Sequence, residues 1–233
     1  MSHNPQRGTA DLIFLILAGL FIAALITGNL IANKFVDVDL GFKSFILSAG
    51  VLPYPLTFLV TDLLSEVFGK KETQKVVISG FAASLLVILI VQLGGAFPAS
   101  PDSPVSEGVY NTTFGSAWRV IAASMTAYLT AQFIDVKIYH FWKRLTKGRM
   151  MWLRNNGSTI FSQLIDSILV TTVIFIGIEP SGKIASLILD AWFFKALVAL
   201  LDTPFLYAIT YLIRKQFNLK MGEELPKYQL TEG

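Results

Sequence analysis

Six apolar stretches, each long enough to cross a bilayer, dominate this chain. They run over approximately 11–34, 45–68, 76–97, 117–141, 157–178 and 184–213. Polar, charged or Gly/Pro-containing residues separate them. A crossing helix takes about 20 predominantly apolar residues, and six of them with short connections use up the 233 residues. Only 15% of the residues are charged, against about a quarter in a soluble domain. The expectation is one membrane domain over residues 1–233, all-α with six transmembrane helices. Its short polar tails cover about 1–10 and 214–233. The first stretch follows a short tail bearing Arg7. It is longer than a signal peptide's apolar core and five more follow, so it reads as an uncleaved first helix.

Basic residues set the orientation. Thirteen lysines and arginines fall on one side: Arg7, those from Lys70 to Lys75, the group from Lys143 to Arg154, and those from Arg214 onward. Four fall on the other: Lys34, Lys43, Arg119 and Lys183. The richer side is cytoplasmic, which places both termini inside. A net charge of +3 in such a chain reflects topology and anionic lipid contact rather than nucleic-acid binding.

Several chemistries are excluded. With no cysteine and two histidines, His3 and His140, the chain has no disulfide or thiolate site and no basis for a histidine metal cluster. No Walker-type loop and no H-E-x-x-H occur, and no cofactor is expected.

The second stretch carries Pro53-Tyr54-Pro55. Each proline removes a backbone donor and disfavours helix at the preceding residue. A break is expected there, with a shorter helix from near Pro55 to Phe68, a simple proline kink being the alternative. Backbone broken at membrane depth survives only beside protein or a cavity, and transporters build sites from it. On the inner side, Asn155-Asn156-Gly157-Ser158 reads as a turn, with Ser158 capping the fifth helix.

Ionisable residues inside the spans are the sharpest functional signal. They are Asp62 and Glu66 in the second span, Asp135 and Lys137 in the fourth, Asp166 in the fifth, and Lys195 and Asp202 in the sixth. Each costs about 2.5–3.5 kcal/mol at a helix centre on insertion scales, so the four aspartates are expected to face the bundle interior, water or one another. Counted from the basic flanks, they share a depth between the midplane and the cytoplasmic third. Gln132 to Asp135 and Gln163 to Asp166 repeat a Q-x-I-D pattern, putting amide and carboxylate on one face. Lys195 and Asp202, seven apart, share a face and suggest an ion pair or gate. Tyr128 and Gln132 extend one stripe. Asn29 and Asn33 form another, toward the outer end. Helix-to-helix hydrogen bonding accounts for many serines and threonines. Most aromatics, Phe58, Phe161 and Phe205 included, suit core or lipid-facing positions, whereas Tyr54 between two prolines stands apart.

The stretch from Leu52 to Gly69 (LPYPLTFLVTDLLSEVFG) resembles the signature of the bacterial queuosine precursor transporter family, also called the vitamin uptake transporter family. Gly28 to Lys34, Leu153 to Thr159, Ser162 to Ser167 and Leu200 to Phe205 are similar to further blocks, in order, across most of residues 20–207. The resemblance implies a six-helix carrier of the bacterial inner membrane. Its substrate would be a 7-deazaguanine such as preQ0, preQ1 or queuine, imported for tRNA modification. On that reading Asp166 and Asp62 contact the base, with Gln163 and Gln132 orienting it and Tyr54 or Phe58 stacking on it. Asp135 and Asn29 complete the candidate set, Glu66 serves release or gating, and the aminomethyl cation of preQ1 favours a second carboxylate. Two other readings are the binding component of an ATP-driven importer and an intramembrane carboxylate enzyme. The sequence leaves the oligomeric state open, a homodimer being compatible with it.

Overall fold

A computed structural model describes residues 5–32, 34–115, 117–146, 150–177, 180–220 and 223–225. The chain is mostly helical. Helix α1 (Pro5–Ile31) leads into a hairpin of β1 (Phe35–Asp39) and β2 (Ser44–Ser48), then a single 3-10 turn (Ala49–Val51). Helices α2 (Tyr54–Val67) and α3 (Lys70–Gly95) follow. A short helix, α4 (Glu107–Tyr110), with a π turn after it, precedes α5 (Ala117–Leu145), α6 (Met151–Phe175) and α7 (Ser181–Phe217). Helix α5 packs along α6 and α6 along α7, while α2 lies between α1 and α7. The helices α1 and α7 extend into the stretches expected to be tails.

The molecule is polar within and apolar without. Asp166, Ser162, Thr73, Glu66 and Thr61 are at most 1% exposed, while Leu89, Leu15, Leu212 and Phe205 are more than 60% exposed. In water that arrangement would be costly; a hydrocarbon solvent favours it. Among the described residues, three helices are long and apolar enough to cross a membrane: Gly8–Ile31, Lys70–Gly95 and Ser181–Phe217. Helices α5 and α6, of 29 and 25 residues, have the length. Their inward polar stripes lower their mean hydropathy.

The stretch expected as one broken span is not helical throughout. Its first part is strand: Phe35↔Ser48 through Asp39↔Ser44 pair antiparallel, closed by a loop in which Gly41 takes φ +80°. The signal was present as period-two alternation. Phe45 and Leu47 are buried between exposed Ser44 and Ile46, and Val36 and Val38 alternate with Asp37 and Asp39. Phe45 stacks on Phe193, centroids 6.0 Å apart, and Lys43 is ion-paired with Asp190, so the hairpin is seated on α7. The expected short helix is α2, whose cap is Pro53. At 14 residues it is about 21 Å long, less than the roughly 30 Å hydrocarbon thickness.

The expected turn at Asn155–Ser158 is absent, because α6 already begins at Met151 after Met150 in the left-handed region (φ 56°). Asn156 Nδ2 donates to Trp152 O (2.9 Å) and to Thr203 Oγ1 on α7 (2.8 Å). Those bonds replace the local turn bonds that asparagine otherwise favours. Ser158 is fully buried mid-helix. Asn33 lies outside the described residues.

Glycines let α1 meet the turn that starts α2. A Cβ on Gly50 would lie 2.6 Å from Gly28 O, and one on Gly28 would lie 2.9 Å from Pro53 Cγ. Overpacking of this kind costs about 1–3 kcal/mol. Gly50→Val is therefore expected to lower the thermal midpoint of the detergent-solubilised protein by several degrees. Gly182→Ala, where nothing lies within 4 Å, leaves the midpoint unchanged or slightly raised.

Candidate functional site

Helix α2 begins where prolines are tolerated, in the first turn of a helix. Thr57 Oγ1 donates to Tyr54 O at 2.7 Å, which holds that turn and directs Tyr54 between α6 and α7. Phe58, one turn on, stacks with Tyr54 at 6.2 Å and is 4% exposed. Facing them is Lys195 of α7. Its ammonium sits 4.4 Å from the Tyr54 ring centroid, and Nζ donates to Asp166 Oδ2 of α6 at 2.6 Å. Asp166 is 0% exposed. The sequence pointed to Asp202 as the partner of Lys195; the fold supplies Asp166 instead, because α6 packs directly along α7.

Beside this pair is a small, partly open cavity of about 20 Å³, walled by Tyr54, Phe58, Thr159, Gln163, Lys195 and Asp202, with Val198 and Ala199 between the last two. Gln163 and Thr159 are 3% and 2% exposed. Gln163 Oε1, Thr159 Oγ1 and Asp166 Oδ1 make no hydrogen bond among the described residues. Buried polar atoms are almost always satisfied, so a cavity walled by several unsatisfied ones suits a ligand that supplies the missing donors. A second cavity, of about 130 Å³, is lined by the hairpin, α6 and the N-terminal half of α7, and Lys195 and Val51 border both.

Toward the C-terminal ends of α2 and α7 a separate polar cluster forms. Glu66 is 1% exposed. Its Oε1 accepts from Arg214 Nη2 at 2.5 Å and its Oε2 from Tyr139 Oη at 2.6 Å. Asp135 Oδ1 accepts from Ser162 Oγ at 3.0 Å. Asp62, one turn before Glu66 on α2, is 5% exposed.

Of the residues expected at the site, the cavity wall holds Tyr54, Phe58, Gln163, Lys195 and Asp202, and Asp166 adjoins it through Lys195. Asp62, Asp135 and Glu66 belong to the inner cluster. Gln132 is 2% exposed with both amide atoms unpaired among the described residues, but it is not part of the cavity wall. Asn29 is elsewhere: it accepts from Ser124 Oγ at 3.2 Å and borders a small gap between α1 and α3. Phe161 and Phe205 point outward, 51% and 61% exposed.

Sequence reasoning missed Thr159, Tyr139 and Arg214. Tyr139 could have been found: Tyr128, Gln132, Asp135 and Tyr139 follow at spacings of four, three and four, a continuous helical stripe. Arg214 had been counted only as a topology-setting charge.

The profile of the family described as "Putative vitamin uptake transporter" matches residues 48–209, a span that holds α2 and every wall residue of the cavity. The chain belongs to the vitamin uptake transporter family. A Bacillus subtilis (strain 168) protein named "Probable queuosine precursor transporter" is 35% identical over 166 residues, 70% of this chain and 72% of that one. The Escherichia coli (strain K12) "Queuosine precursor transporter" is 25% identical over 137 residues, 59% of each. A Haemophilus influenzae relative with the same name as the Bacillus protein is 24% identical over 184 residues, 74% of this chain and 73% of its own. No solved structure matches.

The Asp166–Lys195 pair carries a direct test. Removing one partner of a buried ion pair costs roughly 3–5 kcal/mol, because the other charge is left uncompensated. Lys195→Met should lose stability on that scale, and adding Asp166→Asn should restore most of it. Denaturation of the two single variants and the double variant measures the coupling. Additive losses would mean that the two side chains do not act as a pair.

Proposed function

We propose that this protein imports a queuosine precursor, a 7-deazaguanine, across the bacterial inner membrane through the cavity between α2, α6 and α7. One observation carries the proposal. Unsatisfied polar atoms of Gln163 and Thr159 share one cavity wall with the paired aromatic faces of Tyr54 and Phe58, and the buried Asp166 adjoins it through Lys195. A deazaguanine is a flat ring with a ring N–H and an exocyclic amine, which needs a stacking face and acceptors. The names of the relatives point to the same substrate class.

In this reading Asp166 and Gln163 take the base's donors, and Tyr54 or Phe58 stacks on its ring. Asp62, Asp135 and Gln132 form the polar path inward. Glu66, held by Arg214 and Tyr139, closes the cytoplasmic side. Lys195, placed between the two cavities, marks the boundary that substrate crosses from the outer vestibule.

Six crossings with both termini inside suit the contacts. Helices α1, α3, α5, α6 and α7 supply five, and α2 with the hairpin above it completes the sixth. Glu66 meets Arg214 at the end assigned to the cytoplasm, and Lys43 meets Asp190 at the outer end. The whole chain then forms one transporter domain whose exposed leucines and phenylalanines face lipid, and it releases its substrate chemically unchanged.

A strain that needs external precursor to make queuosine tests this. Asp166→Ala should cut queuosine in its tRNA at least about tenfold at equal membrane abundance, the size expected when a buried charged hydrogen-bond partner is lost. Wild-type levels with that variant would refute the assignment of Asp166.

A further inference from the structure

Charge is unevenly satisfied around the cavity. Among the described residues, five buried or half-buried carboxylates (Asp62, Glu66, Asp135, Asp166 and Asp202) share the region with two ion-paired cations, Lys195 and Arg214. Both cations are committed, Lys195 to Asp166 and Arg214 to Glu66. Asp135 takes a hydrogen bond from Ser162. Asp202 and Asp62 have neither an ion pair nor a hydrogen bond among the described residues. Asp202 stands in the cavity wall beside the unsatisfied Gln163 and Thr159. Asp62 is buried on α2.

The neutral parts of a planar base do not answer this charge. Stacking on Tyr54 and hydrogen bonds to Gln163 or Asp166 leave Asp202 as it was. A half-buried carboxylate is strongly stabilised by a fixed positive charge at hydrogen-bond distance. Lys195 cannot supply that charge while it holds Asp166, and on α7 it lies two turns away from Asp202. The missing charge therefore belongs to the ligand.

We infer that the cavity selects a base carrying an alkylammonium group, with Asp202 as the residue that determines this specificity. The inference rests on the transport reading above and narrows it: the preferred precursor is the cationic aminomethyl form, preQ1, rather than the neutral nitrile, preQ0. The two share the ring that the rest of the cavity holds and differ in fixed charge, so the ratio of their affinities isolates the Asp202 contribution. The aromatic pair and Gln163 set the common affinity level. Asp202 sets the ratio.

Equilibrium binding of preQ1 and preQ0 to the purified full chain, in detergent or nanodiscs, decides the matter. The wild type should bind preQ1 roughly tenfold or more tighter than preQ0, the scale of a close charge pair. Asp202→Asn should bring that ratio toward one, whatever it does to the common level, and Asp202→Glu should retain the preference. A wild-type ratio near one overturns the inference and needs no variant. A preference that survives Asp202→Asn overturns the assignment to Asp202. Binding of neither base is a different failure, that of the transport reading itself.

Discussion

The ion pair between Asp166 and Lys195 joins α6 to α7 in a region where an unpaired charge is costly. Much of the arrangement follows from it. For Nζ to reach Asp166 Oδ2, α7 must lie along α6 with its polar face inward. That same face carries Asp202 and Thr203. The aliphatic stem of Lys195 then passes beside α2, and the ammonium rests over Tyr54. The pair thus orients three elements at once, and the cavity is the space that remains between them.

The break in the second span makes that space accessible. A continuous helix over residues 45–68 would fill the gap between α1 and α7 with side chains. Here the chain instead folds as a hairpin seated on the outer part of α7 and starts α2 at the prolines. The close approach of Gly28 and Gly50 fixes where that start occurs. The larger outer cavity lies under the hairpin, the smaller one beside the first turn of α2. Lys195 stands between them.

Much of this was legible in the sequence because lipid is a strict solvent. Aspartates in the spans could not face lipid unpaired, and Asp62, Asp135 and Asp166 are buried while Asp202 is half-buried in the cavity wall. The proline pair marked the start of α2. What was not legible was partner choice. Spacing along one helix suggested Lys195 with Asp202, but packing between helices gave Lys195 to Asp166, a long-range fact that no local period encodes. The hairpin was hidden because a strand of five residues inside an apolar run resembles helix to any length criterion. At Asn155–Ser158 strong turn residues were overridden once Asn156 found Thr203 across the helix interface. Asn29 shows the reverse case: a buried amide in a family-like motif that ties α1 to α5 rather than lining the cavity.

The absence of cysteine allows the central claim, that substrate occupies the cavity between α2, α6 and α7, to be measured directly. A single cysteine is placed at Val198 in the cavity wall, and another, as control, at exposed Ser181. Labelling of each by a small membrane-permeant thiol reagent is followed with and without precursor base. The account predicts that the base slows labelling at residue 198 severalfold and leaves residue 181 unchanged. Equal labelling rates at residue 198 with and without saturating base would contradict it.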